Sequence, residues 1–368
     1  MSDDAMNLRV LNIAYPFAGV GSDSVGGAEQ ILRRLDESLV QHRHESIVVA
    51  PPESRIAGVL ISSPPIPGEI TSKLRNETYH RLRQIISEVV DRYDPSLIHM
   101  HGADFYEYLP EDDRPLLVTL HLPVSFYPSW IFTLPRKYTS LLCVSPSQRR
   151  SCPNSMLLLA PIENGVPSLM RRPAQKANYT VCLSRIAPEK NVHTALTAAR
   201  KANVPCLLAG KVFPYREHQE YFTSEVEPLL DEQRRFIGPV DELAKWSLLS
   251  RARCLLQASL APETSSLVAM EALACGTPVI AFPSGALPEI IEDGRTGFVV
   301  HSAVEMADAI FAAGHLNPFH CLEAASSRFS LDRMTQSYVK LYRKLIDAQI
   351  SATNPRAVPD KITFRQSF

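Results

Sequence analysis

Two doubly wound α/β domains in tandem are what this sequence predicts, and three observations predict them. At about 150 residues per domain, a chain of 368 residues is long enough for two full cores. From residue 9 onward, apolar runs of strand length alternate with amphipathic stretches of helix length, the signature of parallel sheets built from βαβ units. One segment, PIENGVPSLMRRPAQKAN (161–178), breaks the alternation with Pro, Gly, Asn and basic residues and reads as a linker.

Element by element, RVLNIAY (9–15) reads as a first strand, GAEQILRRLDESLVQ (27–41) as a helix and SIVVAP (46–51) as a second strand. A Pro-rich stretch (62–68) precedes a helix around 70–91. Strands then follow at SLIHM and LLVTLH, which end on His99, His101 and His121. Ligands of open α/β sheets sit beyond the carboxyl ends of strands, so these histidines stand in a favoured place. After the linker the pattern restarts: YTVCLS as strand, RIAPEKN as loop, VHTALTAARKA as helix, then strands VPCLLAG, RRFIG, ARCLLQAS and PVIAF. A last helix spans 330–350, and a polar tail closes the chain.

Composition excludes several classes. Hydrophobic residues make up 45% and charged residues 21%, near globular averages, and the net charge of -1 offers no global attraction to nucleic acid or an anionic membrane. Any anionic ligand is therefore held locally. Seven cysteines without a C-x-x-C pair, several inside apolar runs, read as reduced, buried thiols of a cytoplasmic protein rather than metal ligands. The first residues lack a basic segment followed by an apolar one, and no apolar run reaches 18 residues, so neither a signal peptide nor a membrane span is expected. Peripheral contact with a membrane is compatible with this reading.

The richest segment is APETSSLVAMEALACGTPVIAFP (261–283). A strand ends in a loop carrying Pro262 and the candidate N-caps Thr264, Ser265 and Ser266. LVAMEALAC continues as a helix, Gly276 suits a left-handed cap, and Pro278 prevents continuation. A helix N-terminus at a crevice offers N–H donors and partial positive charge, hence a phosphate site. Two carboxylates stand beside it. Favourable interaction with the helix dipole is a sufficient alternative for Glu263. It fails for Glu271, which lies too deep in an apolar helix, where a carboxylate needs a hydroxyl or a cation. Carboxylates gripping the hydroxyls of a ribose and of a sugar, with a diphosphate between them on N–H groups, would account for both.

The stretch E-x7-E followed by ALACGTPVIAFPSGALPEIIEDGRTGFVV resembles family 4 of the retaining nucleotide-sugar glycosyltransferases, of GT-B fold. RIAPEKN (the family's Arg-x4-Lys), VGGAEQ, VTLH and ENGV add to the resemblance, which runs from about residue 9 to about 350. It implies two Rossmann-like domains facing a cleft: an acceptor-side domain over 1–165 and a donor-side domain over 166–329. The helix at 330–350 would pack back on the first domain, and 351–368 would be a tail.

The resemblance also implies roles. Arg185 and Lys190 contact the donor's β-phosphate and stabilise the departing diphosphate, a type of electrostatic assistance that often supplies the largest catalytic contribution. Glu263 lies beside the transferred sugar, Glu271 binds the ribose, and His121 stands near the donor sugar. Gly26 and Gly27, between first strand and first helix, let backbone approach a phosphate or the sugar; a turn needing glycine is the bland alternative. GVGSDSVGG is not G-x-G-x-x-G, because Ser24 takes the third position, which removes the main support for a dehydrogenase. Where many members carry EGFGL, this chain has Glu263, Thr264, Ser265, Ser266 and Leu267, hydroxyls replacing glycines at the sugar loop.

The expected function is retaining transfer of a sugar from a nucleotide diphosphosugar to a saccharide or lipid-linked acceptor hydroxyl, in bacterial polysaccharide or glycolipid synthesis. No metal or other cofactor and no nucleic-acid partner is expected. Two alternatives stay open: a non-catalytic nucleotide-sugar binding protein, and a glycosidase using the two glutamates as acid and nucleophile.

Overall fold

A computed structural model describes residues 7–22, 24, 26–168 and 171–353. Most of the anticipated tail, 354–368, lies outside the described residues. The first lobe contains β1 (Arg9–Ile13), α1 (Gly27–Gln41), β2 (Glu45–Ala50), β3 (Val59–Ser62), α2 (Ser72–Tyr93), β4 (Leu97–Met100), β5 (Leu116–Leu120), β6 (Thr139–Cys143) and α3 (Pro146–Ser151). The second begins with β7 (Thr180–Leu183), α4 (Val192–Lys201), β8 (Cys206–Ala209), α5 (Arg216–Tyr221), β9 (Arg234–Gly238), α6 (Glu242–Arg251) and β10 (Cys254–Gln257). It continues through α7 (Leu267–Ala274), β11 (Val279–Ala281), α8 (Leu287–Ile290), β12 (Gly297–Val299), α9 (Ala303–Ala313) and α10 (Pro318–Arg328), after which α11 (Leu331–Thr353) returns to the first lobe.

Each lobe is built on a six-stranded sheet, ordered β3-β2-β1-β4-β5-β6 and β12-β11-β10-β7-β8-β9. All the strand pairings are parallel. Both orders are the doubly wound one, with its reversal at β1/β4 and at β7/β10. The interior strands are rich in apolar residues because both faces of the sheets are covered: Leu116–Leu120 and Val279–Ala281 are wholly buried. α1 turns Ile31, Leu32, Leu35 and Leu39 inward at helical spacing.

α11 lies on the first lobe, where Met334, Tyr338, Tyr342 and Ile346 join Leu8, Val10, Ile31, Leu35 and Leu39 in one cluster. The chain crosses between lobes twice, and the crossings lie side by side. Val166 N–H donates to Phe329 O at 2.8 Å, and Leu331 N–H donates to Val166 O at 3.2 Å. Gly165 allows this approach, since a β-carbon there would stand 2.8 Å from both Leu331 Cα and Ser330 O.

Consecutive arginines on α1 clamp the lobes together. Arg33 reaches Glu242 at the start of α6 at 3.0 Å. Arg34, 1% exposed, reaches Glu271 of α7 at 2.5 Å, and Glu271 is itself 2% exposed. At the top of the first sheet three histidines pack together. His99 Nδ1 lies 2.8 Å from Tyr342 OH and its Nε2 2.8 Å from Thr119 Oγ1, so this ring is a satisfied interior group that ties α11 down. Burial drives the pKa of His99 and His101 well below the ordinary value and that of His121 down to about 4.

Removing Arg34 leaves Glu271 with Lys245 alone and takes away a buried charge-assisted hydrogen bond between the lobes, so Arg34→Met is expected to cost about 1.5–3 kcal/mol. Glu271→Leu should cost more, about 3–5 kcal/mol, because it strands both Arg34 and Lys245, and adding Arg34→Met to it should recover part of that loss while Lys245 stays unpaired. Urea midpoints of the single and double variants measure both effects. The histidines set a pH dependence. Unfolded histidine takes a proton below about 6.5 while these folded rings stay neutral, so stability is intact above that pH and falls as pH drops from 6.5 towards 4. Each ring contributes a slope of up to about 1.4 kcal/mol per pH unit. His99→Gln should flatten the profile by close to one proton's worth between pH 6.5 and 5, read from denaturation curves.

Candidate active site

In the second sheet the strand order reverses between β7 and β10, so the loops after these strands form the crevice. The loop after β7 ends in a single tight turn, Pro188–Lys190. Asn191 follows in the left-handed region at φ 52°. Its Nδ2 donates to Ala258 O at 3.1 Å, and Leu260 N–H donates to Glu189 O at 2.9 Å, which fastens the two loops together.

Lys190 is thereby aimed at Glu263. Its Nζ donates to Glu263 Oε1 at 2.6 Å, and Ser259 Oγ donates to the same oxygen at 2.6 Å. The backbone of Glu263 is held from behind. Its carbonyl accepts from Ala286 N–H at 2.8 Å, and Gly285, at φ 60°, leaves room that a β-carbon 2.2 Å from Glu263 O would deny. Arg185 is set apart: its guanidinium reaches Glu189 at 3.2 Å and is 45% exposed. The Arg-x4-Lys pair thus occupies two environments, one inside the ion cluster and one at its solvent side.

Of the three candidate caps, Ser266 caps α7, its Oγ accepting from Ala269 N–H at 3.4 Å and donating to Gln257 Oε1 at 2.9 Å. Thr264 instead crosses the cleft, donating from Oγ1 to the carbonyl of His121 at 2.9 Å. Ser265 Oγ is buried without a protein partner. Leu267 opens α7 against the start of α1, where a methyl added to Gly27 would lie 3.6 Å from Leu267 Cδ1. Neither Gly26 nor Gly27 adopts a positive φ, so their absent side chains matter for space. At Gly26 a β-carbon would fall 1.9 Å from Glu29 Oε2, and Glu29 is a buried carboxyl whose pKa is raised by burial.

Glu271 needed a hydroxyl or a cation at its depth, and it has two cations. Its Oε1 accepts from Arg34 Nη2 at 2.5 Å and from Lys245 Nζ at 2.8 Å. On the opposite wall His121 Nε2 lies 3.1 Å from His101 Nδ1, leaving Nδ1 as the ring nitrogen of His121 not engaged by His101. His101 Nε2 is buried without a protein partner. Both rings are kept neutral by burial, so one donates and the other accepts across this contact.

Lys190, Glu263, Thr264 and His121 are therefore joined by direct bonds, and Gly27 meets Leu267 at the facing helix starts. Sequence reasoning missed Arg34, Lys245, Ser259, Gly285 and the His101 contact. Gly285 had a visible signal, the Ser-Gly of PSGALPEI. Arg34 lies 237 positions from Glu271, and no local spacing reports such a contact. Among the described residues, no three His, Cys, Asp or Glu side chains converge as a metal site, and no helix is long and apolar enough to cross a membrane.

Two family models match, one in each lobe. "Glycosyltransferase Family 4" covers residues 25–154 and "Glycosyl transferases group 1" covers residues 171–313. Among curated proteins, the D-inositol 3-phosphate glycosyltransferase of Mycobacterium leprae (strain Br4923) is 35% identical over 113 residues, 28% of this chain and 26% of that protein. Its counterpart from Mycobacterium avium (strain 104) is 42% identical over 94 residues, 23% of this chain and 22% of that protein. The matched stretch thus spans about a quarter of these relatives' length. Among solved structures, sucrose-phosphate synthase from Thermosynechococcus elongatus aligns with TM-score 0.76 at 20% identity, over 92% of this chain and 100% of that one. Anabaena HepE in complex with UDP and glucose aligns with TM-score 0.69 at 18% identity, over 92% and 100%. These two show a shared fold. With one family model in each lobe and GT-B architecture along nearly its whole length, the chain belongs to the family 4 glycosyltransferases.

Proposed function

We propose that this chain transfers a sugar, with retention, from a nucleotide diphosphosugar to an acceptor hydroxyl in the cleft between its lobes. The observation that carries the reading is the bonded chain Lys190–Glu263 and Thr264–His121 O, which ties a cation, a carboxylate and the backbone of His121 from three loops to one crevice. Lys190, with Arg185 behind it, offsets the charge that grows on the departing diphosphate. Glu263 orients the hydroxyls of the transferred sugar. His121, held neutral, presents Nδ1 to the donor sugar, and the helix start at Leu267 receives the diphosphate.

Glu271 takes the ribose hydroxyls while Arg34 and Lys245 balance its charge. Attack proceeds on the face the nucleotide leaves, and the leaving phosphate oxygen accepts the acceptor's proton, so no separate base is assigned. The reading gives the neutralising role to Arg185 and Lys190 rather than to a metal ion. A polysaccharide or glycolipid pathway and a saccharide or lipid-linked acceptor fit it, and peripheral membrane contact would serve the latter. A glycosidase has less support, since each glutamate is paired with its own cation.

UDP is the first nucleotide to test, because HepE was solved with it. In a thermal-shift panel of UDP, GDP, ADP and dTDP, one nucleotide at 100 times its dissociation constant should add about 2.7 kcal/mol of stability. Lys190→Ala should lose that shift in large part, and a panel with no shift at all would remove the donor-site assignment. In turnover assays with the sugar nucleotide so identified, Lys190→Ala should lower kcat by roughly 10²–10³-fold, and EDTA should leave the rate unchanged. Binding without release of nucleoside diphosphate under any acceptor would favour the non-catalytic alternative.

A further inference from the structure

Outside the cleft, two of the seven thiols stand face to face. Cys143 ends β6 and is fully buried, whereas Cys152 closes α3 and is partly exposed. Their sulfurs are 3.5 Å apart, and the Cys152 thiol also lies 3.4 Å from Gln148 O. We propose that Cys143 and Cys152 form a reversible dithiol–disulfide site that reacts with low-molecular-weight disulfides and acts on α3.

A bond of about 2.05 Å requires the sulfurs to close by roughly 1.5 Å, within the reach of a side-chain rotation at the end of a short helix. The reactivities are divided in the right sense. Cys152 is held below the ordinary thiol range by the hydrogen bond from Cys143, with Arg149 adding to the effect, and it is the sulfur a solute can reach. The thiol of Cys143 is pushed up by the same contact and by burial. Burial also raises the other five thiols, which leaves Cys152 as the nucleophile.

The chemistry balances. Cys152 thiolate attacks one sulfur of the small disulfide RSSR, the S–S bond breaks, and RS⁻ leaves and takes up a proton. Cys143 then gives up its proton and attacks the Cys152 sulfur, expelling the second RS⁻, which is protonated in turn. Two protein thiols have been oxidised and one RSSR reduced to two RSH.

The consequence lies in what α3 holds. Gln148 Nε2 donates to Leu120 O and Leu122 O, each at 2.8 Å, the carbonyls on either side of His121. Ser147 N–H donates to Glu289 Oε2 at 3.0 Å in the second lobe, where Arg150 also pairs with Glu289. Oxidation removes the Cys152 thiol hydrogen that serves Gln148 O and draws the end of α3 towards β6. Both the His121 support and a contact between lobes therefore sense the redox state.

The test incubates the full chain in defined mixtures of oxidised and reduced glutathione, quenches in acid and counts alkylatable thiols by mass after denaturation. The expected result is a fall from seven thiols to five, with Cys143 joined to Cys152 in the peptide map, reversed by reductant. Cys143→Ala should stop at a glutathione adduct on Cys152. Cys152→Ser, at the accessible end, should stay unmodified and keeps the test open if the buried variant folds poorly. Seven free thiols throughout, a different pairing, or an unresolved adduct on wild-type Cys152 would overturn the site. Hydrogen exchange should change at 120–122 and 146–152 on oxidation; unchanged protection there would overturn the action on α3.

Discussion

The Arg34–Glu271 pair is the constraint on which the arrangement of the two lobes rests. The two charges come from opposite lobes and both are buried where they meet. Desolvating two ions cancels much of their attraction, so such a pair adds little net stability. Its leverage is directional: a planar guanidinium meets a carboxylate over a narrow range of angles, which fixes how α1 lies across α7. Lys245 shares the same carboxylate oxygen from the second lobe, so α7 keeps a cation beside Glu271 whatever Arg34 does. Charge balance is local to the donor lobe; orientation comes from across the cleft.

The site follows from that alignment. With the helix starts of α1 and α7 facing, the loop bearing Glu263 falls within reach of His121, and Thr264 closes the gap with one bond. Glu263 is held in place by Lys190 and Ser259 in front and Gly285 behind. The three hydroxyls that follow Glu263 have divided their work. Ser266 caps, Thr264 bridges, and Ser265 is left with a buried oxygen that nothing in the protein satisfies.

Much of this was legible in the sequence, for identifiable reasons. α1 begins and ends where its apolar spacing placed it, and α7 starts after Ser266 because a hydroxyl next to an apolar helical run is a local signal. β3 went unnamed because VLIS is a short, half-exposed edge strand that runs into a Pro-rich stretch, and β12 because three residues carry no periodicity. The site divides the same way. Depth in an apolar helix revealed that Glu271 needed a counter-charge, whereas its source, Arg34, is a tertiary fact. His99, His101 and His121 look alike at strand ends. Only packing separates a ring satisfied by Tyr342 and Thr119 from the two that face each other at the cleft.

The paired crossings at Val166 and Ser330 have a mechanical meaning. Chain segments that pass between two bodies at separate points resist most relative displacement, because any rotation stretches one of them. Here both pass through one place and are hydrogen-bonded to each other, with Gly165 letting them touch. Rotation about that line stretches neither segment, while sliding or twisting would break the Val166–Phe329 and Leu331–Val166 bonds. The covalent crossings by themselves thus permit one rotation, and its angle is held by the Arg33–Glu242 and Arg34–Glu271 pairs.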